Sequence, residues 1–239
     1  MNLEHAGQAP QESIKENAEW AEVIASFAPF LETKRRLKME EIEDDEAILA
    51  AYKDVTEYQF LITHYVATQA EDPSALKAMW HELREVAKSK NEDQNFNIFQ
   101  RGVVTQVATH RIFKELGFNP QFSHPKDDAF KKIDLWSDAT HAVQVKGSAH
   151  EAFGIFETDK IGPSPVEISG DGKTRKLFDS DLRSFKTKLR SFGADVKGYF
   201  IVIPSDKIDF ATGKPSEELI ELVKQKIHPQ TPQQMQKAA

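Results

Sequence analysis

Apolar residues return every three or four positions through the first third of the chain. Trp20, Val23, Ile24, Phe27 and Phe30/Leu31 form one such series; Ile48, Leu49, Tyr52 and Val55, continued by Tyr58, Leu61, Ile62 and Tyr65, form the next. The spacing predicts amphipathic helices. A third begins in "DPSALKAMWHELREVAKS", where Pro73 suits the first turn after Asp72 and Leu76, Met79/Trp80, Leu83 and Val86 make the stripe. The run "MEEIEDDEAI" reads as a solvated helix face or turn, with an acidic protein-binding patch as the alternative. Beyond the polar stretch Lys88 to Asn95, "NIFQRGVVTQVATHRIFKELGF" is again amphipathic, with Gly117 as its C-cap.

The texture then changes to short β-like pieces: "PQFSH", "KIDLWSD", "HAVQVKGS" and "EAFGIFET". Ser180 to Phe192 returns to helical spacing, with Leu182, Phe185, Leu189 and Phe192 facing inward. "GYFIVIP" (Gly198 to Pro204) is a continuous apolar run, the pattern of a strand buried on both faces. A last helix, "SEELIELVKQKI", precedes a Gln/Pro-rich tail from His228 that is expected to be disordered. The predicted architecture is α/β: a mixed central sheet flanked by helices, preceded by an all-helical N-terminal region. Three units follow: an acidic helical domain at 1–95, an α/β domain at 96–227 and the tail at 228–239.

Composition narrows the class. With 39% hydrophobic and 29% charged residues and no long apolar run, the chain reads as soluble, without a membrane partner. Its start lacks the basic-then-apolar pattern of a signal peptide, and the absence of cysteine excludes disulfides and thiolate metal sites. A cytoplasmic location is the expectation. The net charge of −7 argues against nucleic acid until the chain is divided. Residues 1–96 carry 10 basic and 20 acidic residues, whereas residues 97–239 carry 21 and 18. The acidity therefore belongs to the helical region, and two regions with different tasks are expected.

Candidate chemistry concentrates in "KKIDLWSDATHAVQVKGS" (Lys131 to Ser148), where Asp134 and Lys146 interrupt apolar runs. Strand alternation puts Gln144 and Lys146 on one face and Val143 and Val145 on the other. A hairpin through "SDATH" can bring Asp134 beside the Gln144/Lys146 pair. The Asp134 carboxylate, the Gln144 amide oxygen and the Val145 carbonyl are hard ligands suited to Mg²⁺ or Mn²⁺. Lys146 beside such a metal could orient water and stabilise developing phosphorane charge. The plain alternative is a cross-strand ion pair of Asp134 with Lys146, worth under ~1 kcal/mol.

The "KIDLW" aspartate followed by "QVK", with the helix ending "FKELGF" before them and a helix and strand after them, resembles the PD-(D/E)XK nuclease superfamily over roughly residues 97–205. The resemblance implies a restriction-endonuclease-like core and a metal-dependent nuclease, with DNA as the expected substrate and RNA the alternative; a homodimer is one assembly the sequence leaves open. Carried over, Asp134 is the metal-binding aspartate, Gln144 the second motif position and Lys146 the catalytic lysine. Ile133 stands where the family usually has Pro, and Gln144 where it usually has Asp or Glu, as in the Q-x-K form of the Mrr-like branch. A first-helix Glu is matched by Gln106, or less closely by Gln100. Gln144 removes one charge from the metal site, so weaker Mg²⁺ binding is expected. A catalytically inactive module binding nucleic acid or a protein partner is the alternative function.

Arg175, Lys176, Arg183, Lys186, Lys188 and Arg190 could form a stripe along phosphates, against the reading of an ordinary solvated helix face. "GDGKTRK" reads as a basic loop, since it lacks the full phosphate-binding loop pattern. His110, His124, His141 and His150 fit no metal-ligand spacing; His141 or His150 could touch phosphate. Glu151 and Glu157 are possible extra acids, and Trp80 and Trp136 read as packing residues. The acidic helices could dock a protein partner or cover the basic surface of the α/β domain.

Overall fold

The computed structural model describes residues 9–42, 44–69, 72–125, 128, 132–138, 141–148, 152–158, 166–169, 172–189 and 196–227, with backbone alone at 9–18, 158, 166–169 and 172–177. Four helices lead the chain: α1 (Ala9–Lys38), α2 (Asp45–Thr68), α3 (Pro73–Ser89) and α4 (Asp93–Glu115). Capping chemistry sets their ends. The Asp44 carboxylate accepts Ala47 N–H at 2.8 Å ahead of α2, and Asp72 accepts Ser74 and Ala75 N–H ahead of α3. Pro73 sits in the first turn, where its missing donor costs nothing. Helix α4 ends in a Schellman motif: Phe118 N–H donates to Phe113 O, Gly117 N–H donates to Lys114 O, and Gly117 takes φ +87°. The Phe113 and Phe118 rings close that motif with centroids 5.2 Å apart.

Among the described residues, six strands make a single mixed sheet: β1 (Gln121–Phe122), β2 (Leu135–Trp136), β3 (His141–Ser148), β4 (Gly154–Thr158), β5 (Val166–Ser169) and β6 (Lys197–Pro204). Their spatial order is β1-β2-β3-β6-β4-β5. Only β3 and β6 run parallel; the other neighbours are antiparallel. The predicted hairpin is present, with Leu135 opposite Val143 and Trp136 opposite Ala142. Helix α5 (Gly172–Leu189) connects β5 to β6, and α6 (Glu217–Lys224), capped by Ser216, follows β6. Two details differ from the sequence expectation. Helix α5 starts at Gly172, so Gly172 to Lys176 is helix rather than basic loop, and β5 is an additional edge strand. The tail at 228–239, Gly170, Arg190, Phe192, His150 and Glu151 lie outside the described residues.

Two apolar layers sandwich the sheet. One contains Val23, Phe27, Tyr58, Leu83, Phe99, Val107, Phe113, Val143, Val145, Ile201 and Ile203, and so runs without a break from the N-terminal helices into the sheet. The other packs Ile133, Ala142, Phe156, Phe200 and Val202 under Leu182, Phe185 and Leu189 of α5. Strand β6 alternates between them, which accounts for its continuous apolar sequence. Two polar contacts fasten the helices to the C-terminal segment: Trp80 Nε1–H donates to Ala211 O and Gln100 Nε2–H to Phe210 O, each at 2.8 Å. Among the described residues, no helix is long and apolar enough to cross a membrane.

Phe27 is the centre of an aromatic cluster, its ring 5.4 to 6.1 Å from those of Phe30, Tyr58, Phe96 and Phe99. Phe27→Ala is expected to cost about 3–5 kcal/mol in urea unfolding. Because the layer is continuous, amide exchange in β6 should accelerate together with exchange in α2. Acceleration confined to the helices would show that the layer does not unfold as one unit.

Candidate functional site

Asp134 occupies a break in the sheet. Its flanking residues, Ile133 and Leu135, are both fully buried, yet they enter opposite layers. A regular strand would send residues two apart to one face. The chain therefore turns over at Asp134, immediately after Lys132 adopts a left-handed conformation at φ +58°. Asp134 N–H still donates to Val143 O at 2.9 Å, and Asp134 O accepts Ser123 N–H at 3.1 Å. The side chain, not the backbone, meets the next donor on β3: Oδ2 accepts Val145 N–H at 2.5 Å. Oδ1 accepts Gln106 Nε2–H from α4 at 3.0 Å, and Gln106 Oε1 accepts the Thr63 hydroxyl of α2 at 3.4 Å.

Gln106 thus stands against the aspartate, where the helix-residue comparison placed it; Gln100 is committed to Phe210 O instead. Helix α4 reaches this position because β3 has a glycine under it. A Cβ on Gly147 would lie 2.6 Å from Thr105 Oγ1 and 2.8 Å from Arg101 Cγ, so a larger residue there would have to displace the side chains of α4 that pack on the strand.

Gln144 and Lys146 share a face of β3, as alternation requires, but their surroundings differ. Gln144 is only 4% exposed, and its Oε1 has no hydrogen-bond partner. Lys146 is partly exposed; its nearest carboxylate is Asp181 of α5, with Nζ to Oδ2 3.7 Å. It remains close enough to Asp134 to favour that carboxylate's charged form. Asp134 and Lys146 therefore share a field without a direct ion pair.

The sequence reading missed Asp128. It sits half-buried in the connection between β1 and β2, close enough to Asp134 for the two charges to act on each other. Burial first, and repulsion from Asp134 second, push the Asp128 carboxyl up to about 8, against the pull of Lys132 and Lys146. Burial raises Asp134 to about 6, against the Val145 N–H, Lys146, Lys132 and Gln106. Two carboxylates placed in this way lose their protons in two coupled steps. The only trace in sequence is the acidic pair in "HPKDDAF", which has no periodicity and reads as loop.

The other candidates are dispersed. Arg183 pairs with Asp179 on its own helix and is exposed; Lys186 and Lys188 lie half-buried on α5. The side chains of Arg175 and Lys176 lie outside the described residues. His141, at the opposite end of β3, has Nδ1 3.0 Å from Asp138 and stacks on Tyr199; His110 stacks on Phe122. Glu157 faces Lys197 at 3.7 Å rather than the Asp134 region. Trp80 is a packing residue. Among the described residues, no three His, Asp or Glu side chains converge on one point.

The Asp134 carboxylate, held by Val145 N–H and Gln106, keeps lone pairs of the kind a hard divalent ion takes. In the metal-free protein the acidic pair has a definite effect on stability. Both folded pKa values lie above the unfolded value of about 3.9, so the native state holds extra protons. The associated stability is full below about pH 4 and is lost as pH rises through about 6 and then about 8. Thermal unfolding with chelator present should show a falling melting temperature from pH 5 to pH 8.5, with a shallower fall in Asp128→Asn. A melting temperature that rises over that range would contradict the assignment. No protein-family model, curated protein or solved structure matches this chain.

Proposed function

We propose that this protein is a metal-dependent nuclease of the restriction-endonuclease-like type, hydrolysing phosphodiester bonds in DNA. The observation that carries the reading is Asp134 at the sheet break. A buried carboxylate, held by Val145 N–H and Gln106, lies in the field of Lys146. Asp134 and Gln144, with the Val145 carbonyl, would hold Mg²⁺ or Mn²⁺. Such an ion, when bound, lowers the pKa of its water and neutralises charge on the phosphate.

The chain's own residues have separable tasks. Val145 N–H and Gln106 fix the Asp134 carboxylate in one orientation, so its lone pairs need no reorganisation. Lys146, partly exposed and loosely paired with Asp181, can leave that partner for a phosphate oxygen or an attacking water. The basic residues of α5 supply sequence-independent attraction to the backbone, strongest at low salt.

The Lys146–Asp181 pair also favours a second reading, a binding module of the same fold in which the lysine serves packing and not chemistry. Incubation of wild type and variants with plasmid, single-stranded DNA and RNA, in Mg²⁺ or Mn²⁺, separates the two. The nuclease reading expects cleavage that falls about 10²–10³-fold in Lys146→Ala, the size typical of a lost charge-stabilising donor. It expects a loss at least as large in Asp134→Asn. Wild type and Lys146→Ala equally inert on every substrate would remove the enzyme; metal-independent binding without cleavage would leave the module.

A further inference from the structure

We propose that Arg101 of α4 holds a phosphate of the bound DNA backbone at the carboxyl end of β3, across the strand from Lys146. The inference rests on the nuclease reading above and adds a substrate-binding residue that neither the motif nor the basic residues of α5 supply.

Close packing puts Arg101 there. A Cβ on Gly147 would meet Arg101 Cγ at 2.8 Å and Cδ at 3.1 Å, so the arginine stem lies directly on the strand at the residue after Lys146. Its own backbone is tied down as well, since the Thr105 hydroxyl donates to Arg101 O at 2.6 Å. Strands β3 and β6 run parallel and end together, with Gly147 opposite Ile203 and Ser148 opposite Pro204. The region outside the carboxyl ends of parallel strands is where open α/β sheets take their ligands. Val145 and Gly147 face α4, whereas Lys146 faces α5 and its Asp181. Arg101 and Lys146 thus flank the end of β3 from opposite faces.

Packing alone does not account for an arginine at this position. Its Nε–H is buried without an acceptor, and among the described residues no carboxylate forms an ion pair with it. A methionine would lay a similar stem on Gly147 and bury no orphan donor. Other arginines of the chain are neutralised: Arg35 by Glu32 and Glu41, Arg183 by Asp179. Arg101 as a whole is only half-buried, and the next residue, Gly102, is exposed with open space where a Cβ would stand. A planar guanidinium held at its stem, without a counter-charge and beside open surface, suits a phosphate, which can accept two of its N–H groups at once. Because the stem is already packed, little side-chain freedom is left to lose on binding.

The test is binding of a fluorescent DNA duplex to the full chain, followed by anisotropy over a series of salt concentrations with chelator or Ca²⁺ present, beside plasmid cleavage in Mg²⁺. Arg101→Met should bind about 10-fold more weakly, the size of one lost hydrogen bond to a charged group. Its plot of log affinity against log salt should be shallower by about 1, the signature of one phosphate contact removed. Arg101→Lys should keep the slope of wild type. Arg36→Met, which takes the same charge from an exposed position on α1, should match wild type in both respects. Arg101→Gln, read in the same way, covers the case of a poorly folded methionine variant. Affinity and slope of Arg101→Met and Arg101→Gln equal to wild type overturn the proposal and leave the nuclease reading standing, as does an equal loss in Arg36→Met. Wild type that binds no DNA overturns both. A loss confined to the Arg101 variants, in a protein that cleaves nothing, supports the residue and removes the nuclease reading.

Discussion

The close packing of α4 on β3 is the constraint on which the remainder of the structure depends. Gly147 leaves no Cβ to separate them, so Thr105 and Arg101 rest directly on the strand backbone. One side of α4 places Phe96, Phe99 and Val103 among the aromatic residues of the helical region; another places Val107, Ile112 and Phe113 over Val143, Val145 and Tyr199. The helix is therefore shared between bundle and sheet. From α4, Gln106 reaches Asp134 at 3.0 Å.

From that contact the site follows in steps. The turn-over at Asp134 releases β2 from regular pairing, and the carboxylate replaces a backbone acceptor toward Val145 N–H. Removal of this carboxylate from water raises its pKa, and its neighbour Asp128 shares the penalty. A structure that retains two repelling acids, and on β3 a buried amide oxygen without a donor, has placed polar groups where stability alone would favour apolar ones. Perturbed groups of this kind gather at functional sites, although ion-pair networks also produce them.

Much of the fold was legible because it depends on local rules. Period-3.6 stripes and Asp or Gly caps define α1 to α4, and the unbroken apolar run of β6 announces burial on both faces. The hairpin itself was legible, as two short apolar runs joined by a polar turn; its register, with Leu135 opposite Val143, was not. Strand β5 was not: the four residues between Pro165 and Gly170 alternate, but so short a run marks a strand only through its pairing with β4. The early start of α5 was hidden by Gly172, a residue that usually ends regular structure rather than entering it.

The sequence by itself determined the faces of β3 and β6, and hence that Gln144 and Lys146 share one side of β3, next to the segment that carries Asp134. Alternation and periodicity are properties of neighbouring residues, so one chain suffices to read them. Only the tertiary structure decided what each side chain meets: Gln106 and not Gln100 against Asp134, Asp181 as the partner of Lys146, and Asp128 returned to the site by a loop. Those contacts join residues distant in sequence or held in a connection without periodicity. Burial and charge repulsion act through space, and no spacing along the chain encodes them.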